Sequence, residues 1–435
     1  MLLGLAAVVL AGMLIFGGAP NRIGLRFDSI VLAGAILLAA AVWHGALAAF
    51  QKLPFWFRLF AVLVMVLPLV QLIPLPPSVW RSFPGRETAT AILDLVGAGQ
   101  RYRPLSLDPM ATLAAWLSLV PAFALFLASI TLGDRERRYL GVIVVSVALL
   151  AIVIGVFQFG SRGALFNFYD SSHRQYLLGF FANRNHQALF LCMSAIWFSY
   201  LLETDRRLAS RAPLIVTLLL ILVGGAILAT FSRTGVALFM VVTAVLVYRI
   251  LARQRKRKVL GLGLLVGATL IALTFMSSNN IVANFFERYD TVETDARWNF
   301  WVVSWQIIKD NFPIGSGLGT FVPIYAAYEP LVFVDPRYVN HVHNDYLELL
   351  LEAGVAAGVL LLFALVLFVL AVSRLRPWSG ERPAGLLLLV PLLVATHSIV
   401  DYPMRTVAIF CVLALVLAEV MAHWCTVKDT QSGLG

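Results

Sequence analysis

The chain has 435 residues, of which 60% are hydrophobic and only 13% charged, about half the charged share of an ordinary soluble domain. That balance excludes a water-soluble globular protein and reads as an all-α polytopic membrane protein forming a single integral membrane domain over 1–435. The net charge of +10 calls for no nucleic-acid partner, because lysine and arginine routinely flank membrane spans.

Taken in chain order, apolar runs long enough to cross, at about 20 residues each, fall at 2–18, 29–48, 58–74, 111–131, 139–158, 187–202, 213–230, 235–252, 259–276, 345–372, 385–400 and 405–424. The first, "MLLGLAAVVLAGMLIFGGA", lacks a basic leader and reads as a retained helix. About 12 transmembrane helices are therefore expected. Connections 49–58, 132–138, 203–212, 249–258 and 373–384 hold seventeen Lys and Arg in about fifty positions, six of them in "RILARQRKRK". The alternate connections hold fourteen in about three times that length. The positive-inside rule puts the first set, and both termini, in the cytoplasm. The long loops 75–110, 159–186 and 277–344 then lie outside, the last of them between spans 9 and 10. Long loops in compact proteins commonly carry function.

Those outer segments share a composition. "GFFANRNHQALF" brings Asn183, Arg184, Asn185 and His186 to the start of the sixth span. "FSRTG" places Arg233 in a tight turn, "DARWNFW" supplies Arg297, and "NHVHNDYLELLLEAG" supplies His341, His343, Asn344 and Asp345, followed by Glu348 and Glu352. "HSIVDYPMR" adds Asp401. Distant segments thus deliver arginines, asparagines, histidines and acids to one membrane face. Arginine's planar, permanently charged fork suits diphosphate oxygens, and a histidine takes a proton from a hydroxyl near neutral pH. The pattern suits a bulky anionic substrate attached to lipid.

Simpler readings stand beside this one. Arg22, Arg26, Arg162 and Arg405 each read as headgroup anchors, and Trp298, Trp301 and Tyr346 either stack on sugars or anchor at the interface. "GSGLG" (315–319) follows no strand and reads as a sharp turn rather than a phosphate loop. Gly354 and Gly358 form a GxxxG suited to close helix packing. The HxH pair lacks a third ligand at metal-site spacing, and the three cysteines show neither a disulfide framework nor a metal pattern, so no metal and no cofactor is expected. There is no GxxxxGK[ST] loop for nucleotide chemistry. A transporter would place charged or broken helices at the midplane, often in repeated halves, whereas here the polar groups gather at one face.

Together, "SRTG", "ARWNFWVVSWQIIKDNFPIGSGLGTF", "HVHNDYLELLLEAG" and "HSIVDYP" resemble the O-antigen ligase superfamily. This group comprises lipid A–core O-antigen ligases and related Wzy-type polymerases of O-antigen or exopolysaccharide repeats. The resemblance implies a metal-independent, inverting glycosyltransferase of the GT-C type in the bacterial inner membrane, with its active site facing the periplasm. Its donor would be an undecaprenyl-diphosphate-linked oligosaccharide, and its acceptor a glycan or lipid A–core. His343 matches the family's proposed base, and Arg233, Arg297 and Arg184 match its diphosphate-binding arginines. Asn344, Asp345, Asn183, Asn185, His341 and Asp401 are expected in support. The ligase pattern of His-Asn, nine residues, then Gly-x-x-(Gly, Thr or Tyr) is met at Gly354 and broken at Ala357. That break favours polymerase over ligase, with a flippase as the alternative of another class.

Overall fold

The computed structural model describes residues 1–20, 22–171, 173–205, 207–208, 211–253, 296–334, 338–377 and 383–432. It is mainly helical. In order come α1 (Leu2–Phe16), α2 (Leu25–Trp43), α3 (Ala46–Gln51), α4 (Phe55–Gln71), α5 (Pro77–Trp80) and α6 (Glu87–Leu95). Then follow α7 (Pro109–Thr131), α8 (Asp134–Gly160), α9 (Arg184–Thr204), α10 (Ala212–Thr230) and α11 (Arg233–Arg253). The chain ends with α12 (Ala296–Asn311), α13 (Phe321–Tyr328), α14 (Asp345–Leu375), α15 (Leu389–His397) and α16 (Val407–Ser432).

Eight of these helices are long and apolar enough to cross a membrane, and three shorter apolar ones, Leu2–Phe16, Phe55–Gln71 and Pro383–His397, lie among the described residues. This is an integral membrane protein with several spans. Two expected spans are cut differently. The run 29–48 stops at Trp43, because Gly45 takes the left-handed conformation and starts α3 anew. The run 385–400 is a 3-10 segment, Pro383–Leu388, followed by α15. The run 259–276, most of "RILARQRKRK" and the first part of loop 277–344 lie outside the described residues. Loop 75–110 carries α5, α6 and a short antiparallel pair, Pro74–Leu75 with Arg103–Pro104.

The bundle is built around α9, 78% of whose apolar window is buried, whereas the corresponding share of α14 is 11%. The α9 helix packs on α8, α10, α11 and α15; α14 stands at the edge with Val359, Leu362, Leu365 and Val369 exposed, as a lipid-facing helix should. At one end of the bundle, buried ion pairs tie helices together. Arg137 of α8 bonds Glu419 of α16, which also accepts from Tyr200 of α9, and Arg249 of α11 holds Glu203 through two contacts of 2.6 and 2.9 Å.

At the opposite end α14 is bent. Gly354 adopts φ +53° and ψ −132° within the helix, and a Cβ there would lie 2.0 Å from the Pro313 carbonyl oxygen. Only glycine fits both demands. By contrast, a Cβ on Gly358 would meet nothing within 4 Å, so the two glycines are not a close-packing pair. The 31 residues of α14 would extend about 46 Å as a straight helix, against a hydrocarbon core of about 30 Å. The part after Gly354 is long enough to cross alone, which leaves 345–353 room to stand above the hydrocarbon. The 315–319 turn packs into the bend: Gly319 N–H donates to Glu352 (2.8 Å) and Gly317 N–H to the Glu352 carbonyl (2.9 Å).

Candidate functional site

Three helix starts and one turn converge at that end. Asn344 caps α14, its Oδ1 accepting from the Tyr346 and Leu347 N–H groups at 3.0 Å. Asn183 caps α9 in the same way, accepting from Asn185 N–H at 2.8 Å. Ser232 caps α11 by accepting from Gly235 N–H at 3.0 Å. Each cap satisfies N–H groups that a helix start leaves open. In doing so it fixes the direction of the residue beside it.

His343, just before the α14 cap, is held at φ +57°, a left-handed conformation costly for a residue with a Cβ. Its ring stacks on Phe300 of α12, centroids 6.0 Å apart, and meets the edge of Tyr402 at 4.8 Å. His343 Nδ1 lies 3.4 Å from Asp401 Oδ1, with the His343 side chain 22% exposed and Asp401 1%. A buried carboxylate thus faces one ring nitrogen of an imidazole that reaches solvent.

Asp401 is the hub. Asn185 Nδ2 donates to it at 2.6 Å, Asn183 Nδ2 at 3.4 Å and its neighbour's Tyr402 N–H at 3.0 Å. His186 and His397, both wholly buried, approach at 3.6 and 3.7 Å. Burial pushes the Asp401 carboxyl up, but the imidazoles of His186, His343 and His397 outweigh it and hold the group well below the ordinary carboxylate range.

A second polar cluster lies alongside. Arg405 Nη1 donates to Glu352 at 2.8 Å, and its Nε lies 3.4 Å from Glu348 and 3.5 Å from Asp345. Burial alone would lower the Arg405 guanidinium; Glu348, Glu352 and Asp345 overcome it and raise the group above its ordinary value. Arg405 is therefore an internal counter-ion, not a headgroup anchor. Glu348 also binds His341 Nδ1 (2.8 Å) and Val342 N–H (3.0 Å), and Asp345 accepts from Ser398 Oγ (2.8 Å) and Met404 N–H (3.1 Å). Arg22 borders the same cluster, its guanidinium lowered to about 10 by burial and by Arg405. The two histidines of the HxH pair turn to different carboxylates, His341 to Glu348 and His343 to Asp401.

The three arginines stand at or beside helix starts. Arg184, the first residue of α9, sits between two asparagines bonded to Asp401, and its guanidinium lies 4.6 Å over the Tyr176 ring. Tyr176 packs on Phe231 at 5.5 Å, two residues before Arg233, the first residue of α11. The α9 and α11 starts touch, since a Cβ on Gly235 would fall 2.4 Å from Ala188 Cβ. Arg297 opens α12 one turn before Phe300 and Trp301; Trp301 Nε1 donates to the Val342 carbonyl at 3.2 Å. Helix starts concentrate positive potential, so these guanidinia and helix ends act in the same sense.

Sequence reasoning did not single out His173, His397, Tyr402 or Phe300. His173, on loop 159–186, is lowered to about 4 by burial and then by Arg184, with Asp401 opposing. Five of the seven histidines (His173, His186, His341, His343 and His397) gather here. The available signal was that all five fall in, or at the edges of, the connections that the Lys and Arg pattern assigns to one side.

Comparison with protein families adds an independent finding: the family model described as O-antigen ligase matches residues 217–362. Over that stretch the chain is similar to the O-antigen ligase family. The matched segment runs from α10 into α14 and includes Arg233, Arg297, His341, His343, Asn344 and Asp345. The other part of the hub, Asn183, Asn185 and Asp401, comes from outside it. Comparison with curated proteins gives no match.

Proposed function

We propose that this protein is a periplasmic-face glycosyltransferase of the GT-C type, with about twelve spans, in the bacterial inner membrane. It transfers an undecaprenyl-diphosphate-linked glycan to an acceptor hydroxyl and so polymerises O-antigen or exopolysaccharide repeats. The observation that carries the reading is His343, part-exposed and strained, with Nδ1 against buried Asp401.

The chemistry follows from that pair. With the Asp401 carboxylate 3.4 Å from Nδ1 favouring the proton on that nitrogen, the His343 Nε2 lone pair takes the proton of the acceptor hydroxyl. The acceptor oxygen attacks the anomeric carbon from the face opposite the diphosphate. The carbon–oxygen bond to the leaving phosphate breaks as the glycosidic bond forms, inverting the centre. Asp401 steadies the imidazolium, as a carboxylate does in other acid–base pairs. Arg184, Arg233 and Arg297 receive the diphosphate's negative charge with their bidentate forks. Asn344, Asn183 and Asn185 orient the base and its carboxylate, while Asp345 and His341 hold the adjoining turn. No step requires a metal or cofactor.

A second reading, O-antigen ligase with lipid A–core as acceptor, is favoured by the description of the matching family model and by the His343-Asn344 to Gly354 spacing. A deletion strain tests both through its surface polysaccharide. Single-repeat capping of lipid A–core indicates an O-antigen polymerase, loss of secreted polymer with intact lipopolysaccharide an exopolysaccharide polymerase, and loss of every long glycan from lipid A a ligase. His343→Ala must reproduce the deletion phenotype while the protein still inserts; normal glycan in that strain removes His343 as the base.

A further inference from the structure

The exposed face of α12 belongs to none of the machinery above. Its other face, Val303, Ile307 and Ile308, packs with Phe321, Tyr325 and Leu351 in a small core separate from the main bundle. Outward, Trp298 is 66% exposed and Trp305 51%, with Val302 between them. Large aromatic faces left in the open on a helix that is not among the apolar ones call for an occupant. The spacing is seven residues, two helical turns, so both indoles lie on one side about 10.5 Å apart along the axis.

The stripe is continuous with the catalytic edge. Trp298 lies 6.4 Å from Trp301, and Trp301 is bonded to the Val342 carbonyl, immediately before His343. Phe300 of the same helix stacks on His343 itself. An aromatic path thus leads from the proton-accepting residue to solvent. The helix packs on α14 before the Gly354 bend, through Leu347, Leu350 and Leu351, the stretch that the length of α14 leaves free to stand above the hydrocarbon. The exposed face also carries Gln306 and Lys309, and Gln306 Nε2 bonds Asp310 Oδ1 at 2.8 Å. Flat aromatic faces flanked by hydrogen-bonding side chains suit saccharide rings, which present C–H faces and equatorial hydroxyls.

We infer that Trp298 and Trp305 form a stacking platform for the polysaccharide chain, on which consecutive sugar units lie as they approach or leave His343. The inference rests on the glycosyl-transfer reading and adds a binding site to it.

The test is binding without turnover. Wild-type protein in lipid nanodiscs, the Trp298→Ala/Trp305→Ala pair, the Trp298→Phe/Trp305→Phe pair and His343→Ala are titrated with oligosaccharides cut from the surface polysaccharide of the source cell, graded from one to several sugar units. The alanine pair should bind the longer oligosaccharides at least about tenfold more weakly, as loss of an aromatic anchor commonly does. The phenylalanine pair should largely retain them, and His343→Ala should bind them like wild type. Equal binding by wild type and the alanine pair overturns the platform. So does quenching of these two indoles by brominated lipid tails, which makes them membrane anchors. Transfer by wild type from a lipid-diphosphate donor is assayed separately, so failure of the parent reading registers on its own.

Discussion

Asp401 accepts from Asn185 at 2.6 Å and faces three imidazoles at 3.4–3.7 Å, and in the proposed reaction its charge acts on His343 as well as on the fold. Asp401→Asn keeps the shape and removes the charge opposite His343 Nδ1. Turnover in a purified assay should fall by at least about a hundredfold, in line with the loss when a carboxylate behind a catalytic imidazole becomes an amide. Donor KM should change little, because in the proposed roles the arginines, not Asp401, hold the diphosphate. A fall in affinity with turnover intact would make Asp401 structural instead. His173 gives a pH prediction. Its imidazole is lowered from 6.5 to about 4 in the folded protein, so between those values the unfolded chain binds the proton first and stability declines as the medium is acidified. Thermal unfolding in detergent should show this decline, and His173→Gln should make it shallower. An unchanged slope would mean that His173 is not held neutral by its surroundings. The sequence offered His343, Asp401 and the asparagines, because unusual polar residues at span ends are visible one at a time. It did not offer His173 or His397, whose meeting with Asp401 depends on the packing of segments that carry no pairing signal.

At the scale of elements, α14 explains why acids stand where a lipid-facing helix begins. Glu348 and Glu352 are counter-ions to Arg405, in a stretch that ends at the Gly354 bend. Removing Arg405 takes the shared guanidinium from three buried carboxylates, Asp345, Glu348 and Glu352, and losing one partner of a buried pair typically costs about 3–5 kcal/mol. Arg405→Met should therefore lower the unfolding temperature sharply, and adding Glu352→Gln should recover part of the loss. If the single variant unfolds like wild type, the cluster is solvated and the burial argument fails. Gly354→Ala should be as damaging, since the new methyl would overlap the Pro313 carbonyl; folded yield from solubilised membranes reports it. Spans were legible from hydropathy to within a few residues at α7, α9 and α10. The bend at Gly354 was not, because a glycine inside an apolar run looks the same whether it kinks a helix or packs one. The break at Gly45 escaped for the same reason.

For the whole molecule, the polar hub and the buried ion pairs lie at opposite ends of one bundle, and function depends on which end faces out. In the proposed orientation, taken from the uneven distribution of Lys and Arg, Arg135 and the Arg137–Glu419 pair would face the cytoplasm, and the α12–α13 segment with the Asp401 hub the periplasm. Two surface positions decide it. Leu331, 90% exposed just beyond α13, and Arg135, exposed at the start of α8, can each be changed to cysteine in a background lacking Cys192, Cys411 and Cys425. With the outer membrane opened and the inner membrane intact, a membrane-impermeant maleimide should label Leu331→Cys. Arg135→Cys should react only after the inner membrane is breached. The reverse result would put His343 in the cytoplasm, where a lipid-linked donor already flipped outward is out of reach, and the proposed reaction would fall with it. Labelling of both positions in intact membranes would instead break the single-bundle topology that joins α9, α14 and α16 around Asp401.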